Sequence, residues 1–170
     1  MTTDNRDPSR RPSLVEGGGI HGGLTDLGIP LGFAIVKVII RRPDADPEFQ
    51  DIEERGLLDT GAEASWIRTE LATRLGLDPM PQRKSSGAAG GRKVIMTTPY
   101  DVAIEIPRIG TWPLIRASSF EHPYPELNKL YGVIIGNDIL RDCTLMAIGP
   151  IRQFVLMPGM KQITPEMLES

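Results

Sequence analysis

The 170-residue sequence predicts an all-β domain, a closed β-barrel with one or two short helices. Short runs rich in β-branched residues, such as Phe33–Ile40, are typical of buried strands. The segment Val102–Ile106 alternates apolar residues with small or polar ones, which is the two-residue period of a strand. Turn-forming residues separate such runs, as in Arg42–Pro47. Many short strands divided by turns indicate a compact barrel.

The elements follow from these patterns in chain order. Thr69 is predicted to cap a short helix in which Leu71 and Leu75 share one face, and Gly76 suits its C-terminus. A second helical turn is expected at Asp138–Arg141. Strands are predicted at Phe33–Ile40, at about Gln50–Leu58, in a hairpin over residues 82–106, from Trp112, at Tyr131–Ile135, and in a last hairpin that pairs Leu145–Ile148 with Gln153–Met157.

The domain organisation is read from changes in composition. Residues 1–30 are rich in glycine, proline, aspartate, arginine and serine, and are expected to form a flexible N-terminal tail. Residues 31–160 are predicted to form one folded domain, since the chain is about one domain long. Residues 161–170 are expected to be a short C-terminal extension.

Composition argues against several classes of function. The chain has 19 basic and 22 acidic residues, a net charge of -3, and its basic residues fall in scattered pairs, so no nucleic-acid partner is expected. Leu31–Ile40 is too short for a membrane span and contains Lys37. With no signal-peptide pattern, a cytoplasmic protein without a membrane partner is expected. One cysteine and two histidines without metal-like spacing predict no metal and no cofactor.

The tripeptide Asp59-Thr60-Gly61, directly after the apolar Leu57-Leu58, is the motif that points to chemistry. A carboxylate just past a buried strand, in a turn opened by glycine, is placed for acid–base catalysis. The chain has one such aspartate. If the reaction needs two, a second copy of the chain must supply the other.

Three segments together resemble the retropepsin-like aspartic proteases, although a lone Asp-Thr-Gly is also an ordinary turn. They are Leu57–Ala62, the glycine-rich tip Ser85–Gly91, and Ile134–Leu140, and their order and spacing also fit. The resemblance covers roughly residues 33–157. It implies a retropepsin-like acid-protease barrel and a homodimeric aspartic endopeptidase that acts on polypeptide.

The implied catalyst is a pair of Asp59 carboxylates, one from each subunit. When two carboxylates lie about 3 Å apart, repulsion makes it unfavourable for both to be ionised, so they share one proton. The charged member acts as general base towards a bound water, and the protonated member as general acid towards the substrate carbonyl. No covalent intermediate and no metal are needed.

The resemblance implies roles for residues around Asp59. Thr60 resembles the threonine whose hydroxyl bonds across the dyad to the other subunit, and Gly61 resembles the glycine whose carbonyl faces the substrate. Glu63 is a candidate substrate-binding residue. Gly136 resembles the glycine that ends the strand behind the catalytic loop.

The glycine-rich tip resembles the flap that closes over bound peptide, since glycines permit the backbone angles and hinge motion of a lid. An ordinary mobile hairpin tip is the alternative interpretation. The candidate flap residues are Ser86, Gly87, Ala88, Ala89, Gly90 and Gly91.

Ala62 stands where some relatives have serine. A serine hydroxyl there would donate to the carboxylate and favour its charged form. Alanine lacks that donor, so we expect a mildly acidic working pH, and a pH–rate profile that peaks below about pH 3 would contradict this.

Two departures concern the dimer. Asn137 follows Gly136, where retroviral members usually have arginine, and Glu63 stands where they often have aspartate. The arginine–carboxylate pair that helps to build their dimer is therefore absent. Asp138 has a plain alternative role as a helix cap.

Two other functions stay open at this stage. The chain can be a catalytically inactive retropepsin-like module for dimerisation or peptide binding, because fold alone does not establish activity. It can also be an unrelated barrel with a coincidental turn.

Overall fold

A computed structural model describes residues 13–14, 18–23, 34–44, 46, 48–86, 94–122, 128–148 and 153–159. Twelve strands and two short helices lie within these ranges. The elements are β1 (Ser13–Leu14), β2 (Ile20–Gly23), β3 (Ile35–Arg41), β4 (Ile52–Leu58), β5 (Trp66–Arg68), α1 (Thr69–Arg74), β6 (Arg83–Ser86), β7 (Val94–Thr97), β8 (Pro99–Ile106), β9 (Gly110–Phe120), β10 (Val133–Ile135), α2 (Asn137–Leu140), β11 (Cys143–Ile148) and β12 (Gln153–Pro158).

Six strands close into a barrel. Their order is β9-β5-β10-β4-β3-β8, and β8 pairs again with β9, which closes the sheet; β1 adds to the outside of β9. The predicted closed barrel with short helices is therefore confirmed. A three-stranded sheet, β11-β12-β2, and the two-stranded hairpin β6–β7 complete the described part.

The core lies inside the barrel because alternate residues of its strands are apolar. In β3 the second, fourth and sixth residues, Val36, Val38 and Ile40, are buried. Helix α1 covers one side of the core with fully buried Leu71, while Leu75 just after it is buried as well.

The parallel pairing of β4 with β10 positions the candidate site. Ile135 lies opposite Leu58, so both strands end at the same edge of the barrel. The residue after β4 is Asp59, and the residues after β10 are Gly136 and Asn137. Two segments nearly eighty residues apart in sequence thus meet at one edge.

Two parts of the predicted N-terminal tail are strands. Ser13–Leu14 pairs with Gly110–Thr111 of β9, and Ile20–Gly23 pairs with β12. These residues therefore belong to sheets, because open strand edges offer hydrogen-bond partners even to a glycine-rich segment. The remainder of residues 1–30 lies outside the described residues, as does the predicted extension 161–170.

Two local predictions were wrong in detail. Thr69 is the first residue of α1 and not its cap; the N-cap is Arg68, which makes no side-chain cap bond. The returning arm of the predicted hairpin 82–106 is two strands, β7 and β8, because β8 leaves the hairpin to pair with β9 and β3. Gly76 does end the helix region with a φ of +57°, as its position predicted.

Candidate active site

Asp59 is held at the barrel edge by backbone hydrogen bonds. Its N–H donates to the carbonyl of Ile135 over 3.0 Å, and its own carbonyl accepts from Ala62 N–H over 3.2 Å. The carboxylate Oδ1 accepts from Gly61 N–H over 2.9 Å. The side chain is half-buried, while the following Thr60 and Gly61 are exposed. A fixed acid therefore borders an open surface.

Asn137 ties the second loop to the first. Its N–H donates to the carbonyl of Ala62 over 2.9 Å, and its side-chain Nδ2 donates to the carbonyl of Thr60 over 3.0 Å. This residue stands where the resemblance leads one to expect arginine. The asparagine uses both its backbone and its amide to fix the loop that carries Asp59, and it does so without charge.

Asp138 does not cap α2, whose N-cap is Gly136 without a side-chain cap bond. Its carboxylate instead accepts from Ser65 N–H over 2.9 Å and from Ser65 Oγ over 2.6 Å. Ser65 Oγ in turn accepts from Gly136 N–H over 3.1 Å. Because Ser65 is fully buried, these bonds satisfy groups that water cannot reach. The chain of bonds locks the start of α2 against the residues before β5.

Gly136 is required at its position by close packing. A Cβ added there would lie 2.5 Å from the carbonyl carbon and 2.6 Å from the carbonyl oxygen of Ala64. Both are backbone atoms, so no side-chain rotation relieves the contact. The absence of a side chain allows the two loops to approach each other.

The other predicted site residues lie in different surroundings. Ala62 is half-buried in the Asp59 loop, and Glu63 is exposed just beyond it. Ser86 is the last residue of β6. The candidate flap residues Gly87, Ala88, Ala89, Gly90 and Gly91 lie outside the described residues.

Tyr131 is a residue near the site that sequence reasoning did not single out for function. Burial, and then the charge of Asp59, raise the pKa of its phenol above the ordinary value. The hydroxyl therefore senses the carboxylate. The one available signal in the sequence was its place immediately before Gly132 and strand β10.

Two depressions of the described surface lie away from Asp59. One of about 390 Å³ runs along β3 and β4, and one of about 270 Å³ lies beside the end of α1. Neither is lined by the Asp59 loop.

Nothing in the described ranges gathers three or more histidine, cysteine, aspartate or glutamate side chains into a metal-like group. Burial, and then the charge of Asp142, raise the pKa of the Cys143 thiol to about 12. The thiol is therefore protonated at neutral pH and is a poor nucleophile. Across the same ranges, the helices are all too short or too polar to span a membrane.

Comparisons with known proteins agree with this geometry. Residues 47–120 match the family model of the aspartyl proteases. The fold is similar to the crystal structure of a retropepsin-like aspartic protease from Rickettsia conorii, with a TM-score of 0.54 and 14% sequence identity. The similarity covers 86% of this chain and 92% of that one. No curated protein matches the chain significantly.

The matched segment contains Asp59, and the similar fold extends over most of the barrel. Both findings therefore confirm the resemblance that the three motifs predicted: the chain has the retropepsin-like fold, and residues 47–120 are similar to the aspartyl protease family.

Proposed function

We propose that this chain is a homodimeric aspartic endopeptidase in which Asp59 of two copies forms the catalytic pair. The observation that carries the proposal is the Asp59 loop itself. A carboxylate oriented by Gly61 N–H stands at an exposed edge. Four further hydrogen bonds, made by Asp59, Ala62 and Asn137, fix the loop. Asp59, held in one orientation beside exposed Thr60 and Gly61, fits one half of a site that two subunits share.

The chemistry follows from bringing two such acids together. At about 3 Å the two carboxylates share one proton. The charged carboxylate removes a proton from water as the water oxygen bonds to the scissile carbonyl carbon, and the other acid donates its proton to the carbonyl oxygen. The C–N bond of the tetrahedral intermediate then breaks as the leaving nitrogen is protonated. The products are a carboxylic acid and an amine.

The exposed surface beside Asp59 suits an extended polypeptide. A peptide laid along a cleft between two barrels would be held by strand-like backbone hydrogen bonds, with alternate side chains in pockets. The hairpin β6–β7, with Ser86 near its tip, is the candidate lid. Glu63 is a candidate contact for the peptide at the end of the Asp59 loop.

Asp59→Asn tests the proposal because it keeps the size of the side chain and removes the acid. We expect wild-type protein to cleave members of a synthetic peptide library, and the variant to lose at least about a hundredfold in rate. Asp78→Asn is the matched control, since the Asp78 side chain is 98% exposed. Retention of the dimer by Asp59→Asn, measured by sedimentation, excludes a loss of assembly.

Two results separate this function from its alternative. Cleavage that persists unchanged in Asp59→Asn refutes the assignment of the catalytic acid. A wild-type protein that dimerises or binds the library peptides without cutting any of them is instead the inactive binding module.

A further inference from the structure

Residues 59–62 form a β-turn whose middle peptide group joins Thr60 to Gly61. The turn is closed by a hydrogen bond of 3.2 Å from Ala62 N–H to the Asp59 carbonyl. We call the Thr60 C=O and the Gly61 N–H together the central peptide. Its N–H donates to Asp59 Oδ1 over 2.9 Å. The orientation of the central peptide therefore decides whether the Asp59 carboxylate keeps this donor.

Asn137 holds the opposite side of the central peptide. Its side-chain Nδ2 donates to the Thr60 carbonyl over 3.0 Å. Because a carbonyl oxygen only accepts, the nitrogen of the amide and not its oxygen must face it. The C=O and the N–H of a trans peptide point in opposite directions within one plane, so a hydrogen bond at each end fixes that plane. The bond from Asn137 to Thr60 therefore also orients the donor to Asp59.

Gly61 leaves the central peptide a second orientation. In a type II β-turn this peptide is reversed, and the third residue has a positive φ, which glycine adopts readily. Gly61 is the third residue of the turn, and its φ is not positive. The residues of the turn are thus compatible with both orientations. The observed one directs the Gly61 N–H to Asp59, whereas reversal would turn that N–H away from the carboxylate.

The groups that hold the central peptide lie next to solvent. Thr60, Gly61 and Asn137 are all exposed. Water therefore competes for their hydrogen bonds, and the loss of one bond costs the whole protein little stability. The same loss changes an equilibrium between two peptide orientations about three- to tenfold. The backbone bond of 2.9 Å from Asn137 N–H to the Ala62 carbonyl remains when only the side chain is replaced.

We propose that Asn137 is a positioning residue that holds the central peptide against reversal and so keeps the Gly61 N–H on the Asp59 carboxylate. The proposal rests on the proposed endopeptidase function. Asn137 acts through the peptide group and not by contact with the substrate. Because both hydrogen bonds lie within one chain, each Asp59 of a dimer is oriented by the Asn137 of its own subunit.

Asn137→Leu in the full-length protein tests the proposal, because leucine has nearly the shape of asparagine and no donor. For the best library peptides kcat should fall about tenfold or more, since one neutral hydrogen bond is worth about three- to tenfold and each dimer contains two altered turns. KM should change by less than about twofold. Asn137→Gln restores a donor and should recover part of the loss in kcat. Asn128→Leu, at another exposed asparagine, is the control and should match wild type.

Amide hydrogen exchange, followed by NMR on isotope-labelled protein, reports on the central peptide without any need for activity. In Asn137→Leu the Gly61 N–H should exchange about threefold faster or more, because its bond to Asp59 is formed for less of the time. The Asp59 N–H, which is bonded to Ile135, should keep its wild-type rate, as should strands β4 and β10. The melting temperature should fall by about 4 °C or less.

The role of Asn137 and the endopeptidase function can fail separately. Unaltered Gly61 exchange in Asn137→Leu overturns the inference, and so does an unaltered kcat; Asp59-dependent cleavage in the same assay leaves the proposed function intact. Faster exchange throughout β4, β10 and α2, with a melting temperature lowered by more than about 4 °C, shows a merely structural asparagine and also overturns the inference. A wild-type protein that cleaves no peptide, with faster Gly61 exchange in Asn137→Leu, refutes the endopeptidase and supports the hold of Asn137 on the central peptide.

Discussion

The Asp59 loop and the hairpin β6–β7 are held in different ways. The loop is bonded to β10 through Ile135 and to α2 through Asn137. In the described part of the chain, β6 and β7 form a two-stranded sheet of their own, and Ile95 and Met96 on β7 are exposed. The loop is built into the barrel, whereas the hairpin projects from it.

The base of the hairpin has one side-chain link to the barrel that stands out. Arg83 Nη2 donates to Ser118 Oγ over 2.9 Å, and Ser118 is buried in β9. The comparison teaches that the Asp59 loop and the hairpin, our proposed lid, are held by separate contacts. Substitutions in the Asp59 loop should therefore alter stability and the rate of cleavage. Substitutions in the hairpin should alter the motion of the hairpin and the affinity for substrate.

The largest effect on stability is expected from Gly136→Ala. The new Cβ would meet the backbone of Ala64 at 2.5 Å, so the free energy of unfolding should fall by about 3 kcal/mol or more. Gly61→Ala is the matched control, because its Cβ meets only Asp59 Oδ1, at 3.2 Å. It should cost less than about 1 kcal/mol in stability and still reduce cleavage, since the contact shifts the carboxylate. Urea denaturation measures the stability of both variants, and peptide cleavage measures their activity. Equal losses of stability in Gly136→Ala and Gly61→Ala would contradict the account.

A smaller effect is expected from Asp138→Ala. Removing the carboxylate leaves the buried N–H and hydroxyl of Ser65 without their acceptor, which should cost about 2–4 kcal/mol. Asp138→Asn retains one acceptor oxygen and should lose less. Asp101→Ala is the control: it removes only a surface ion pair with Arg116, worth less than about 1 kcal/mol. If urea denaturation shows Asp138→Ala to be no less stable than Asp101→Ala, the locking role of Asp138 is wrong.

The smallest change in stability is expected from Arg83→Met, which removes the link between the hairpin and Ser118. Global stability should change by about 1 kcal/mol or less. Amide hydrogen exchange should become about three- to tenfold faster in β6 and β7 while the barrel strands keep their protection. Lys84→Met, one residue along the same strand, is the control. Faster exchange throughout the barrel would mean that the hairpin is not a separate unit.

Local patterns were enough to predict the barrel. The strand predicted at Phe33–Ile40 is observed at Ile35–Arg41, with Phe33 outside the described residues, and the predicted turn after Asp59 is closed by a hydrogen bond from Gly61 N–H to the Asp59 carboxylate. Asp138 was misjudged because its preference for a helix cap is local, whereas its real donor, Ser65, is 73 residues away. No sequence pattern specifies which distant buried donor a carboxylate will meet.

Tertiary pairing also explains the remaining differences. Strand β8 separates from the hairpin because β9 pairs with it from Pro99 to Ile106, which the alternation of β8 alone does not reveal. Segments of the glycine-rich N-terminus become strands because β9 and β12 present edges to them. Tyr131 was missed because the effect of the Asp59 charge on the pKa of its phenol is not visible in the sequence.

The central claim is that two copies of Asp59 make one active site, and subunit mixing tests it most directly. Wild-type protein is co-refolded with Asp59→Asn in varying ratios, and peptide cleavage is measured at constant total protein. If mixed dimers are inactive, activity should follow the square of the wild-type fraction, so an equal mixture retains about one quarter of full activity. Activity that falls in direct proportion to the wild-type fraction, leaving about one half in the equal mixture, would show that each chain works alone and would contradict the shared site.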